Sequence, residues 1–132
     1  MAKIKTVLVI AWALPWTFFG ALIGFLGLIT GGKYQRRDRV LEFWGGAVVW
    51  FLDTFPQIDR CSAITFGHTV LGRDEHCLDV TRAHERVHVR QYERWGFFFV
   101  PAYLLCSAVL WWKGRDFYRD NPFEREAFSK TQ

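Results

Sequence analysis

Cysteine is scarce in this chain, and what there is does not pair up by spacing. Cys61, Cys77 and Cys106 make an odd number, widely separated, and no CxxC occurs. That excludes a disulfide framework and a zinc site built on thiolates. Cys106 lies inside an apolar run and reads as a small hydrophobe. Cys61 and Cys77 flank a predicted hairpin and could pair only in an oxidising compartment. Zinc-finger spacing and RNA-binding motifs are also missing, so no nucleic-acid partner is expected. There is no internal repeat and no low-complexity linker. At 132 residues the chain has room for one compact domain.

What is abundant is apolar and aromatic side chain, at 51% and 18%. It is segregated into two blocks, Val7 to Thr30 and Phe97 to Trp112, with charge between and after them. That distribution points to a membrane protein with a polar head. The net charge of +4 reflects arginines near those blocks and suits anionic lipid headgroups.

The first block carries no charge from Val7 to Thr30. At about 1.5 Å per residue it can cross a hydrocarbon core about 30 Å thick. It is too long for a cleaved signal peptide, and no A-x-A site follows. Lys3 and Lys5 precede it; Lys33, Arg36, Arg37 and Arg39 follow it. That bias places the rest of the chain in the cytoplasm, where its cysteines would stay reduced.

Gly31 and Gly32 are expected to break the helix. RVLEFWGG reads as a short strand, AVVWFLDTF as a short amphipathic helix, and Pro56 and Asp59 as a loop. AITFGHTVLG has strand character, with Phe66, His68 and Val70 on one face. GRDEH reads as a turn. The expected fold class is α+β: an N-terminal transmembrane helix (1–32), then a small, mainly helical domain (33–132) with a short β-hairpin or sheet.

The chemistry concentrates in DVTRAHERVHVRQYERWG. Asp79 or Thr81 can cap this helix and Gly96 can end it. At about 100° per residue, His84, His88, Gln91 and Trp95 form one stripe. Arg82, Arg86, Arg90, Glu93 and Arg94 gather on the other side. If the histidine face points inward, its polar groups need partners. Two histidines at i and i+4 can share one metal ion, and Glu85 sits beside them to take a proton from an activated water. That is the mechanical content of HExxH.

A catalytic zinc site needs a third protein ligand. The tail YRDNPFEREAF offers Glu124 and Glu126 on a helix starting at Asn121 and Pro122. They point about 200° apart. Glu124 shares its side with Ala127 and Phe128, so it is the expected ligand; Glu126 is expected outside, paired with an arginine.

HERVH followed by ExxA (Glu124 to Ala127) resembles the gluzincin pattern among zinc metallopeptidases, and CAAX prenyl proteases are similar in these two motifs. HERVHVRQYERWG, PAYL and YRDNPFEREA together resemble small bacterial membrane proteins with a zincin-like core. The resemblance implies a Zn2+ site at His84, His88 and Glu124, with Glu85 catalytic, in the bacterial inner membrane. The acidic residue that follows alanine in the CAAX protease pattern is replaced by Phe128. Zincin folds commonly carry a strand that pairs with extended substrate, here AITFGHTVLG. His68 is then either an ordinary strand histidine or a substrate contact, and Gln91 either orients a ligand or bonds to backbone. Tyr118 and Tyr103 are weaker candidates beside the site.

The second block, Phe97 to Trp112, is about 24 Å long as a helix, short for a full crossing. It is expected to pack against the core and dip into one leaflet, with Pro101 in its first turn. A complete crossing would carry Glu124 away from the histidines. The expected partners are therefore the bilayer and a peptide or membrane-protein substrate. The expected function is peptide-bond hydrolysis at zinc. The alternative is a non-enzymatic membrane protein with a structural or sensory metal.

Overall fold

The computed structural model describes residues 2–37, 39–54 and 63–131. Pro56, Asp59 and Cys61 lie outside the described residues. The order of elements is α1 (Ala2–Ile29), β1 (Lys33–Arg37), β2 (Val40–Trp44), α2 (Ala47–Asp53), β3 (Ala63–Phe66), β4 (Thr69–Gly72), α3 (Glu75–Trp95), a 3-10 turn (Gly96–Phe98), α4 (Phe99–Trp112) and α5 (Pro122–Thr131). The fold is α+β, with one small mixed sheet in the order β1-β2-β4-β3. β1–β2 and β3–β4 are antiparallel; β2 and β4 run parallel at its centre.

Strand alternation sorts the core into two layers. Val40 and Val70 point to one face and meet Leu78 and Val89 of α3. Phe43 and Leu71 point to the other and meet Val48 and Leu52 of α2, with Ile23 and Leu28 of α1. Each such fully buried side chain contributes about 1.5–3 kcal/mol. The sheet is therefore sandwiched between α1 with α2 and α3.

α1 is part of that sandwich over much of its length. Its inward stripe is small: Ala13, Gly20, Gly24 and Gly27. A Cβ on Gly24 would lie 2.4 Å from the Phe43 ring, and one on Gly20 would lie 2.8 Å from Phe66 Cβ. Glycine there lets the helix backbone lie directly on the sheet. Farther along, the Trp12 indole donates to the Glu93 carbonyl at 3.0 Å, and Trp16 donates to that of Phe97 at 2.9 Å. The outward stripe is apolar and exposed, including Ile4, Val7, Leu14, Phe18, Leu22 and Phe25. Such a face belongs in lipid or against a partner.

Two helical stretches are long and apolar enough to cross a membrane, Lys3–Ile29 and Glu75–Trp112. In the second, the charged residues fall on α3 and the apolar ones on α4, so the membrane-compatible part is the α4 end. α4 exposes Leu104, Leu105, Trp111 and Trp112, and Pro101 stands in its first turn. After Trp112 the chain doubles back, and α5 lies against α3. Glu124 therefore returns to the side of the histidines.

Three local expectations change. α3 begins at Glu75, a turn before Asp79, because the Asp74 carboxylate accepts from the Cys77 N–H at 2.7 Å. Thr81 instead sits within the helix and donates to the Cys77 carbonyl. AITFGHTVLG is no single strand: Gly67 takes a φ of 60° and, with His68, forms the β3–β4 turn, which breaks the shared face of Phe66, His68 and Val70. Finally, Cys77 is disulfide-bonded, where the sequence reading expected a reduced cysteine.

Candidate metal centre

The buried face of α3 presents His84, Glu85, His88 and Gln91 in little more than two turns. α3 is held in that rotation from behind. Glu42 of β2 is only 1% exposed and accepts both arms of the Arg82 guanidinium, each at 3.0 Å. Arg86 stands 3.7 Å from the same carboxylate, and the Gln35 amide donates to it at 2.7 Å. Burial pushes the Glu42 carboxyl up. The hydrogen bonds from Arg82 and Gln35 and the arginine charges outweigh burial and hold it below the usual range. Two of the arginines that gather opposite the histidine stripe are thus clamped to a buried acid.

α5 brings Glu124 against the histidines. Asn121 starts this helix, its side-chain oxygen accepting from the Phe123 N–H at 3.0 Å. His84 Nε2 and His88 Nε2 each lie 3.0 Å from the same oxygen, Glu124 Oε1. Donor atoms of His84, His88 and Glu124 all fall within 4.8 Å of one another, and the three could hold one metal ion. Ligand atoms about 2.0–2.1 Å from a tetrahedral zinc are about 3.3 Å apart, close to the 3.0 Å between each histidine Nε2 and Glu124 Oε1. Glu126, the other candidate, lies outside this group and pairs with Arg94 and Lys130.

Gln91 decides what His88 can offer. Its Nε2 donates to the Phe123 carbonyl at 2.9 Å and to Glu126 Oε1 at 2.8 Å. Both amide hydrogens are committed, so Gln91 Oε1 is the atom facing His88 Nδ1 at 2.8 Å. An acceptor there requires a proton on Nδ1. The neutral His88 ring must then aim the Nε2 lone pair at a carboxylate oxygen. Two acceptors 3.0 Å apart need a cation between them, either a proton or a metal ion.

The electrostatics of the metal-free site express the same demand. Burial disfavours the imidazolium of His88, yet the Glu124 hydrogen bond and the charges of Glu85 and Glu124 override it and raise its pKa to about 9. Burial likewise raises Glu124, but hydrogen bonds from His84 and His88 pull it down to about 2. Metal binding has to displace the His88 proton. Replacing Gln91 with leucine removes the group that orients His88. Metal affinity is expected to fall about 10–100-fold, measured by competition with a chromogenic chelator.

Glu85 is buried beside the triad. Its Oε2 accepts from the Thr65 hydroxyl of β3. Burial pushes the Glu85 carboxyl up, against the pull of His88, Thr65 and His84. That moves it towards the range of a general base at neutral pH. Edge strand β3 is tied to α3 a second time where Tyr92 donates to the Thr65 carbonyl at 3.0 Å.

Of the remaining candidates, Gln91 both orients His88 and bonds to backbone. Tyr118 lies edge-on to Phe128, ring centroids 6.0 Å apart, and Phe128 in turn packs on His84 at 4.6 Å. Phe128 therefore supports His84 by packing. His68 belongs elsewhere: its Nε2 is 2.8 Å from Glu93 Oε2, and Arg39 binds the same carboxylate. It is not in the metal-competent group.

Sequence reasoning passed over Thr65 and left Tyr103 among the weaker candidates. Tyr103 donates to Glu124 Oε2 at 2.5 Å. The available signal was a tyrosine four residues before Ser107, a polar pair on one face of an apolar helix. Comparison with protein-family models, curated proteins and solved structures finds no match to this chain.

Proposed function

We propose that this protein is a membrane-associated zinc metallopeptidase, with Zn2+ held by His84, His88 and Glu124. The observation that carries the reading is the convergence of His84 Nε2 and His88 Nε2 on the single oxygen Glu124 Oε1, with the committed Gln91 amide fixing which His88 nitrogen faces it. Two imidazoles and one carboxylate are a donor set that suits zinc and leaves one coordination position open. When bound, zinc supplies a Lewis acid that polarises a carbonyl and acidifies water. Glu85 takes the proton of the attacking water and passes it to the leaving amine. Thr65 holds the second Glu85 oxygen, and burial keeps the base poised. The outward faces of α1 and α4 support seating in a cell membrane, with a peptide or membrane protein at its surface as substrate.

Elemental analysis of protein purified in detergent tests the metal directly. Wild type is expected to carry about one zinc per chain, the stoichiometry of a three-ligand centre. His84→Ala is expected to retain only a small fraction of it. Equal metal in the two proteins, or none in wild type, overturns the proposed centre.

A further inference from the structure

The two oxygens of Glu124 have different partners. Both histidine Nε2 atoms face Oε1, while Oε2 takes the Tyr103 hydroxyl. We infer that Tyr103 is a positioning residue that keeps Glu124 a one-oxygen ligand. By occupying Oε2 it leaves open the coordination position a substrate carbonyl or water needs. The inference rests on the metal reading above and deepens it. Carboxylates readily bind metals through one oxygen or two, so something must select between these modes. A second Glu124 oxygen on the ion would fill the position that distinguishes a catalytic zinc from a closed structural one.

The tyrosine is itself held. Its ring stacks on Phe123 at 6.2 Å and packs on Phe99 at 5.9 Å. The Asn121 amide donates to the Tyr103 carbonyl at 3.1 Å and to Ser107 Oγ at 2.9 Å. Ser107 in turn donates to the Phe117 carbonyl at 2.8 Å. Asn121 is fully buried and also starts the helix that carries Glu124. One residue therefore joins α4 to α5 at a set height, and that height places the hydroxyl on Oε2. The opposite face of α4 is the exposed apolar one, so the helix seated against lipid carries the group that sets the ligand.

Cobalt(II) in place of zinc reports this through its visible spectrum, which is intense for four-coordinate ions and weak for higher coordination. Wild type reconstituted in lipid nanodiscs is expected to show the intense bands. Tyr103→Phe keeps the ring packing and frees Oε2, so it is expected to bind cobalt with bands several-fold weaker. A Tyr103→Phe spectrum that superimposes on wild type overturns the inference while leaving the metal centre intact. A wild type that takes up no cobalt sinks the metal reading and this inference with it. Should Tyr103→Phe fail to fold, X-ray absorption on zinc-loaded wild type decides. One short carboxylate oxygen supports the assignment, and two equivalent ones reject it.

Discussion

Glu85→Gln is expected to keep wild-type metal content and to lower turnover of a quenched fluorescent peptide about 10²–10⁴-fold, the usual worth of a general base. Glutamine can still accept from the Thr65 hydroxyl that bonds Glu85, so the packing of the pocket survives. It cannot take a proton from water. The substitution thus separates holding a metal from using it, and both quantities are measured on one preparation. Undiminished turnover in the variant removes Glu85 from the reaction. Metal bound at full stoichiometry in a wild type that cleaves nothing would favour a structural or sensory ion.

Glu42→Gln is expected to cost about 3 kcal/mol at neutral pH, the scale of breaking a buried ion pair by removing one partner. The variant leaves the Arg82 guanidinium beside a neutral amide in place of the buried carboxylate it grips at 3.0 Å. The pH dependence has a definite sign. The folded-state pKa of Glu42 is lowered from 4.5, so its contribution is fully present above that value and is lost as pH falls through the lower, folded one. The gap in stability between wild type and Glu42→Gln should therefore be constant from neutral pH down to about 5 and narrow at more acid pH. Urea melts at pH 7 and pH 3 measure it. A gap that widens on acidification contradicts the assignment of Glu42 as the ionised anchor of α3.

α3 carries His84 and His88 on one side and the Glu42 clamp on the other, so loosening the clamp is expected to turn the histidines as well as destabilise the fold. The arginines opposite the histidine stripe were legible in the sequence as a set, but their partner was not. Glu42 lies in the middle of VLEFW, where strand alternation alone makes it an inward acid with no visible reason. Only pairing across forty residues supplies one.

Much of the local architecture was readable. The strand at Val40–Trp44, the helix at Ala47–Asp53 and the stop at Gly96 follow from alternation, periodicity and glycine. The choice of Glu124 over Glu126 followed from helical phase, and Glu124 is the one beside the histidines. Reading AITFGHTVLG as one strand failed because Gly67 can take a positive φ and reverse the chain there. The start of α3 was placed late because Asp74, Asp79 and Thr81 are all competent caps, and the sequence does not rank them.

By itself the sequence determined what depends on neighbours along the chain: one long and one shorter apolar helix, a histidine pair one turn apart, and a helix start at Asn121. Tertiary structure decided what depends on atoms distant in the chain. It laid α1 on the sheet through Gly20 and Gly24 and on α2 through Gly27, turned α5 back so that Glu124 met the histidines, and committed Gln91 and Tyr103 to their partners. The reason is physical: periodicity is set by backbone geometry over a few residues, whereas a ligand's proton and a carboxylate's free oxygen are set by whichever groups packing brings within 3 Å.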